Sequence, residues 1–154
     1  MSQDKKKVRI AFFDFADCEG CQLQLTYLNE NFLGLLEHCE IVNFREAMSE
    51  KSDDYDIAFV EGSITREHDE ERVKKIRDNA KIIIAYGSCA CTGGVNGLRR
   101  RYTEEEAMEL QYPGREVPLV GGAGWPRPVH EVVKVDFYIH GCPTNNEETI
   151  EAVK

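Results

Sequence analysis

Six cysteines mark this chain of 154 residues. Cys18 and Cys21 stand in Asp17-Cys18-Glu19-Gly20-Cys21, and Cys89 and Cys91 in Gly87-Ser88-Cys89-Ala90-Cys91. Cys142 follows Gly141 and precedes Pro143, and Cys39 stands apart. Thiolates are soft ligands, and four together suit zinc or an iron–sulfur cluster. Structural zinc sites present two close pairs of ligands. Here one pair is followed by ligands far off in sequence, on separate loops. Clusters of the four-iron, four-sulfur kind take four cysteines and tolerate that scatter. A lone C-x-x-C also describes a thioredoxin-like dithiol, but a dithiol leaves the other thiols unexplained. Gly20, Gly87, Gly93, Gly94 and Gly141 flank these positions. They let the backbone approach a bulky inorganic guest and turn amides toward sulfur.

These residues need elements to carry them. The run over 8–15 is almost continuously apolar, as in a strand covered on both faces. Leu25, Leu28, Phe32, Leu35 and Leu36 make one apolar stripe and predict a helix over 22–36. Short strands are predicted over 40–44 and 56–60, the latter ended by the turn Glu61-Gly62-Ser63. A charged helix over 66–79 puts acids first and bases last, as the helix dipole prefers. The run 81–86 is the most strand-like in the chain and leads into a glycine-rich turn. Thr103 is expected to cap a helix over 104–110. Residues 111–134 read as a long loop, and 135–140 as the last strand. Pro143 is expected to start a final helix, with Asn145 and Glu148 in capping-box spacing. Strands alternating with helices predict an α/β fold, a doubly wound parallel sheet of about five strands with helices on both faces.

In such a sheet the carboxyl ends of the strands share one edge, where ligands bind. Cys18 and Cys21, Cys89 and Cys91, and Cys142 each follow a strand, so three cysteine positions converge on one rim. Cys39 falls at the opposite edge and reads as a small buried hydrophobe. Helix N-termini after Cys21 and Cys142 are expected to favour an anionic guest. Glu61 follows a strand on the same rim and reads either as a solvated turn carboxylate or as a polar group beside the site. His38, His68, His130 and His140 lack metal-ligand spacing. Of these, His140 is closest to a thiol loop and within reach of hydrogen-bonding to the site.

Hydrophobic residues at 42% and charged residues at 31% exclude wholesale disorder and fibrous repeats. Acidic residues number 28 against 19 basic ones, a formal charge of -9. Such a surface repels nucleic-acid phosphates and anionic lipid, so neither is expected as a partner. Lys5, Lys6, Lys7 and Arg9 precede Ile10 to Phe13, but Asp14 interrupts that run too soon for a signal peptide. No stretch is apolar enough to insert in a bilayer. The expectation is cytoplasm, where thiols stay reduced.

Taken together, Cys18-Glu19-Gly20-Cys21, Glu61-Gly62-Ser63-Ile64, Gly87-Ser88-Cys89-Ala90, Gly93-Gly94 and Gly141-Cys142-Pro143 resemble the small subunit of nickel–iron hydrogenases. Arg127-Pro128-Val129 with 132–136 is similar to its soluble, cytoplasmic branch, whose members work with NAD(P), deazaflavin or ferredoxin modules. The resemblance implies a flavodoxin-like domain holding the proximal 4Fe–4S cluster. It carries the ligands onto Cys18, Cys21, Cys89 and Cys142, and leaves Cys91 as an extra thiol nearby. Gly20, Glu61, Gly87, Ser88, Gly141 and Pro143 become the cluster's neighbours. No catalytic residue is implied on this chain. The nickel–iron centre belongs to a large partner subunit, and further iron–sulfur or flavin subunits lie downstream. The related 20 kDa subunit of complex I has adjacent cysteines in its first motif, whereas this chain has C-x-x-C. The equivalent subunit of a complex I-like, membrane-associated enzyme is therefore the weaker alternative. Many hydrogenase small subunits carry a C-terminal extension with two more clusters. Here the expectation is one domain over 1–154 with a single cluster.

Overall fold

In the computed structural model, which describes residues 7–28, 30–115 and 124–153 but not the side chains of 30–32, the first apolar run is β1 (Val8–Asp14). It pairs in parallel with β2 (Cys39–Asn43) on one side and β3 (Ile57–Glu61) on the other. Next come β4 (Ile82–Tyr86) and β5 (Phe137–Ile139), again parallel. The spatial order β2-β1-β3-β4-β5 is doubly wound, with its switch point between β1 and β3.

Successive residues of β1 bury on opposite faces. Ile10 and Phe12 pack with Phe59, Ile84, Leu25 and Leu35 on one side. Ala11 and Phe13 pack with Val60, Ile83, Val73 and Ile76 on the other. Burial on both faces is why these strands read as continuous apolar runs rather than alternating ones. Phe12 stacks on Phe59 at 4.7 Å between centroids, and Tyr86 meets Phe59 edge-on at 5.6 Å.

The helix expected over 22–36 is two helices, α1 (Gly20–Thr26) and α2 (Glu30–His38). The Tyr27 amide is shared between the Leu23 and Gln24 carbonyls, and the Leu28 amide bonds to Leu25. That tightening ends the first helix. Leu25 and Leu35 still bury on one sheet face, so the stripe spans both helices. The Phe32 side chain lies outside the described residues, as do Lys5, Lys6 and positions 116–123 of the long loop.

The charged helix appears as α3 (Glu67–Asn79). The glycine-rich turn after β4 is instead a short helix, α4 (Gly87–Thr92), opened by Gly87 at φ 85° and closed by Gly93 at φ 87°. A 3₁₀ turn (Asn96–Arg101) leads to α5 (Glu104–Gln111), where Thr103 and Glu106 cap each other reciprocally. The last strand is shorter than 135–140, and just before it the Asp136 carboxylate, in place of a backbone carbonyl, accepts from the Ile83 amide and from Arg77. The final helix, α6 (Asn146–Val153), starts beyond Pro143, and Asn145 caps the Glu147 amide at 2.7 Å rather than that of Glu148. Among the described residues no helix is long and apolar enough to cross a membrane.

Phe59 sits between Phe12 and Tyr86 with no solvent access to speak of. Phe59→Ala is expected to cost about 3–5 kcal/mol in equilibrium urea unfolding. Tyr102→Ala, on the exposed surface, should cost less than about 0.5 kcal/mol. Equal losses in the two variants would contradict this placement of the core.

Candidate metal centre

After β1 the chain makes a loop fixed from three sides. Ala16 and Ser63 exchange backbone hydrogen bonds at 3.1 and 3.0 Å, tying the loop to the turn after β3. The Asp17 carboxylate accepts from the Glu19 amide at 2.9 Å, and Glu19 takes the left-handed conformation at φ 59°. Arg45 pairs with Glu19 and with Asp14. Glu61, only 2% exposed, then reaches across from the end of β3. Its two oxygens accept from the Cys21 and Gln22 amides at 2.9 and 3.0 Å. Glu61 is thus a buried carboxylate and not a solvated turn residue.

Cys89 comes to the same rim on α4. The Ser88 amide and hydroxyl both donate to the Gly141 carbonyl, at 2.8 and 2.9 Å, which ties the loops after β4 and β5 together. Cys142 follows on the second of those loops. Cys18, Cys21, Cys89 and Cys142 line a single cavity of about 260 Å³. Gly20, Glu61, Gly87, Ser88, Gly141 and Pro143 line it too. A water occupies roughly 30 Å³ in the liquid, so the hollow is sized for a polyatomic guest. Among the described residues no three His, Cys, Asp or Glu side chains draw close enough to hold one metal ion. The thiols surround a space instead of a point, which fits a cluster better than zinc.

The other two cysteines are elsewhere. Cys91 is 3% exposed and aims its thiol at the Ala85 and Ile139 carbonyls, at 3.4 and 3.6 Å. Cys39 is buried at the start of β2 and donates to the Leu35 carbonyl. His140 stacks on Tyr138 and does not line the cavity. The helix N-termini also differ from expectation. The Cys21 and Gln22 amides of α1 are taken by Glu61, and α6 begins four positions after Cys142 with its Glu147 amide taken by Asn145.

Two tests of fit come from the protein's own atoms. A Cβ added at Gly87 would collide with the Cys21 sulfur, and one at Gly94 would lie 2.8 Å from that of Cys89. Glycine is required there so that sulfur can face the hollow. The second test is electrostatic. Burial, and next the Glu61 carboxylate, pushes the Cys21 thiol up to about 12. Burial, and next Asp17, pushes Cys89 up to about 11. The unligated thiols are therefore held protonated, and binding of a metal centre would release those protons. The residues fit a metal cluster.

Three participants have no motif of their own. Tyr86, fully buried, donates its hydroxyl to the Cys21 carbonyl at 3.1 Å. Thr149 of α6 places its hydroxyl 3.3 Å from that of Tyr86, and Thr144 is buried beside Cys21. An aromatic residue at a strand end and two threonines give no periodic or spacing signal.

The family model described as the NADH ubiquinone oxidoreductase 20 kDa subunit matches residues 18–154. The chain is 36% identical to sulfhydrogenase 2 subunit delta of Pyrococcus furiosus, covering 95% of this chain and 60% of that one. It is 30% identical to a subunit of the F420-non-reducing hydrogenase of Methanothermobacter thermautotrophicus, covering 96% of this chain and 53% of the other. The chain thus spans about half the length of the curated relatives it matches. A chain in the crystal structure of an NAD+-reducing [NiFe]-hydrogenase in the H2-reduced state superposes with a TM-score of 0.77 at 27% identity, over 92% of this chain and 86% of that one. The recombinant [NiFeSe] hydrogenase of Desulfovibrio vulgaris Hildenborough shares the fold, with a TM-score of 0.67 at 16% identity over 97% of this chain and 59% of that one. With its parallel α/β sheet and its thiol-lined rim, the chain belongs to the family of the NADH ubiquinone oxidoreductase 20 kDa subunit.

Proposed function

We propose that this chain is the electron-transfer small subunit of a nickel–iron hydrogenase, holding one 4Fe–4S cluster through Cys18, Cys21, Cys89 and Cys142. The observation that carries this reading is the convergence of those four thiols, from three strand ends, on one cavity. The hydrogenase relatives support it. So does the C-x-x-C spacing of Cys18 and Cys21, which sets the chain apart from the adjacent cysteines of the complex I subunit.

Bound there, the cluster supplies one-electron redox chemistry. The protein's part is to bind and orient. Glu61 fixes Cys21 through its own amide and that of Gln22. Ser88 locks the Cys89 and Cys142 loops together through Gly141. Gly20 and Gly87 leave room beside the Cys18 and Cys21 sulfurs, and Gly141 and Pro143 line the cavity. The four thiols make one cluster site on this chain. The nickel–iron centre, and with it reversible dihydrogen oxidation, belongs to a large partner subunit. Iron–sulfur or flavin subunits using NAD(P) or ferredoxin pass electrons onward, in the cytoplasm.

Anaerobically purified chain should contain about four iron and four acid-labile sulfide per polypeptide, the composition of the cluster type. Near-zero iron with stoichiometric zinc would sink the reading. Serine at Cys18, Cys21, Cys89 or Cys142 should lower iron content severalfold, whereas Cys91→Ser should retain it. The reverse pattern at 89 and 91 would show that the wrong thiol faces the cavity. Glu61→Ala leaves two buried amides without an acceptor, at roughly 1–3 kcal/mol each. It should lower both the unfolding midpoint and iron retention, and Glu61→Gln should do so less. Anaerobic affinity purification should bring down a larger, nickel-containing subunit. Recovery of the chain alone, with nickel in no fraction, would contradict the partnership.

A further inference from the structure

Glu61 and Tyr86 stand opposite each other in the ladder between β3 and β4, each as the last residue of its strand. Their side chains meet on one residue. The Glu61 carboxylate accepts from the Cys21 amide at 2.9 Å, and the Tyr86 hydroxyl donates to the Cys21 carbonyl at 3.1 Å. Two neighbouring strands thus hold the Cys21 backbone at both ends. Gly87, next after Tyr86, leaves the space that the Cys21 sulfur occupies.

Tyr86 is itself held. It is fully buried, and its ring meets Phe59 edge-on. A phenol oxygen donates one proton and can accept another. With its own proton on the Cys21 carbonyl, Tyr86 accepts from the Thr149 hydroxyl of α6, 3.3 Å away. Phenylalanine would fill the same space, so packing alone does not call for the hydroxyl. What the hydroxyl adds is a fixed orientation at Cys21, tied back to α6.

We propose that Tyr86 is a positioning residue: its hydroxyl, backed by Thr149, clamps the Cys21 backbone against Glu61, so that the sulfur keeps its direction into the cavity and the cluster is retained. The proposal rests on the reading of Cys21 as a cluster ligand. Contacts that orient a ligand reduce what must rearrange when metal enters, and they oppose its loss.

The test uses the full chain, purified anaerobically with its iron and sulfide. Beside it stand Tyr86→Phe, Thr149→Val, the double variant, and Ile76→Val as a control for a loosened core. Ile76 is buried on the opposite face of the sheet from Tyr86. Each is followed for loss of iron to excess bathophenanthroline disulfonate, for the EPR line shape after dithionite reduction, and for urea unfolding. Tyr86→Phe should lose iron about fivefold faster, the weight of one buried hydrogen bond. Its EPR lines should broaden, because the Cys21 sulfur spreads over more orientations. Thr149→Val should move both readings the same way by less, and add little to Tyr86→Phe. Ile76→Val should unfold at lower urea yet keep the parent's iron loss and line shape. Parental iron loss and line shape in Tyr86→Phe overturn the proposal, and so does an Ile76→Val that matches Tyr86→Phe in both. Fully additive effects of Tyr86→Phe and Thr149→Val overturn the backing from α6. If Tyr86→Phe does not fold, Thr149→Val is set against Ile76→Val in the same readings. A parent chain without iron and sulfide would overturn the ligand reading itself, so the two failures are distinct.

Discussion

Two backbone amides at the start of α1 have no acceptor within their own helix, and the Glu61 carboxylate, arriving from β3, accepts both of them. This contact joins a strand of the sheet's centre to the loop that carries two of the four thiols. Burial holds the Glu61 carboxyl above the usual carboxylate range, while the two amides pull the other way. A side chain in that position is expensive to bury and is tolerated only with its hydrogen bonds made. The geometry of Cys21 follows from it, and through Tyr86 the same cysteine is held at its carbonyl as well. Cys21 is fixed by protein contacts alone, ahead of any guest.

The two thiols of α4 show how finely the local backbone sorts function. Positions two apart on an α-helix point about 200° away from each other. Cys89 therefore lines the cavity, while Cys91 turns into the core and bonds to strand carbonyls. Read as a glycine-rich turn, the segment carries no such rule, and both thiols look alike. Once Gly87 and Gly93 bracket a helix, only one of them can reach the rim.

The same contrast between local and long-range signals separates what was legible from what was not. The three central strands β1, β3 and β4 could be read because each is buried on both faces, and burial writes itself into composition. The convergence of Cys18, Cys21, Cys89 and Cys142 could be read because parallel topology puts strand ends together. The roles that escaped depend on long-range single contacts. Nothing near Glu61 in sequence says that it caps a helix some forty positions earlier. Tyr86 likewise acts on Cys21 from another element. The split between α1 and α2 was hidden because Leu25 and Leu35 bury on one face either way. The helix α6 starts after Asn145, in the N-cap position its spacing to Glu148 suggests, rather than at Pro143.

Exposure around the cavity is uneven, and the unevenness has a direction. Cys21 is buried, Cys89 is half-buried, and Cys18 and Cys142 are open to solvent. Leu23 and Tyr27, both exposed, stand at the cavity's edge as an apolar collar. A cluster seated there would have one side packed by protein and the other in water. Potential depends on burial as well as on hydrogen bonds to sulfur, so this half-site leaves one of its levers unset. An apolar surface from the proposed large subunit, laid over Leu23 and Tyr27, would cover Cys18 and Cys142 and expel that water. The chain thus fixes the inner half of the site by itself, through Glu61, Tyr86 and Ser88, while Cys18 and Cys142 leave the outer half open to solvent.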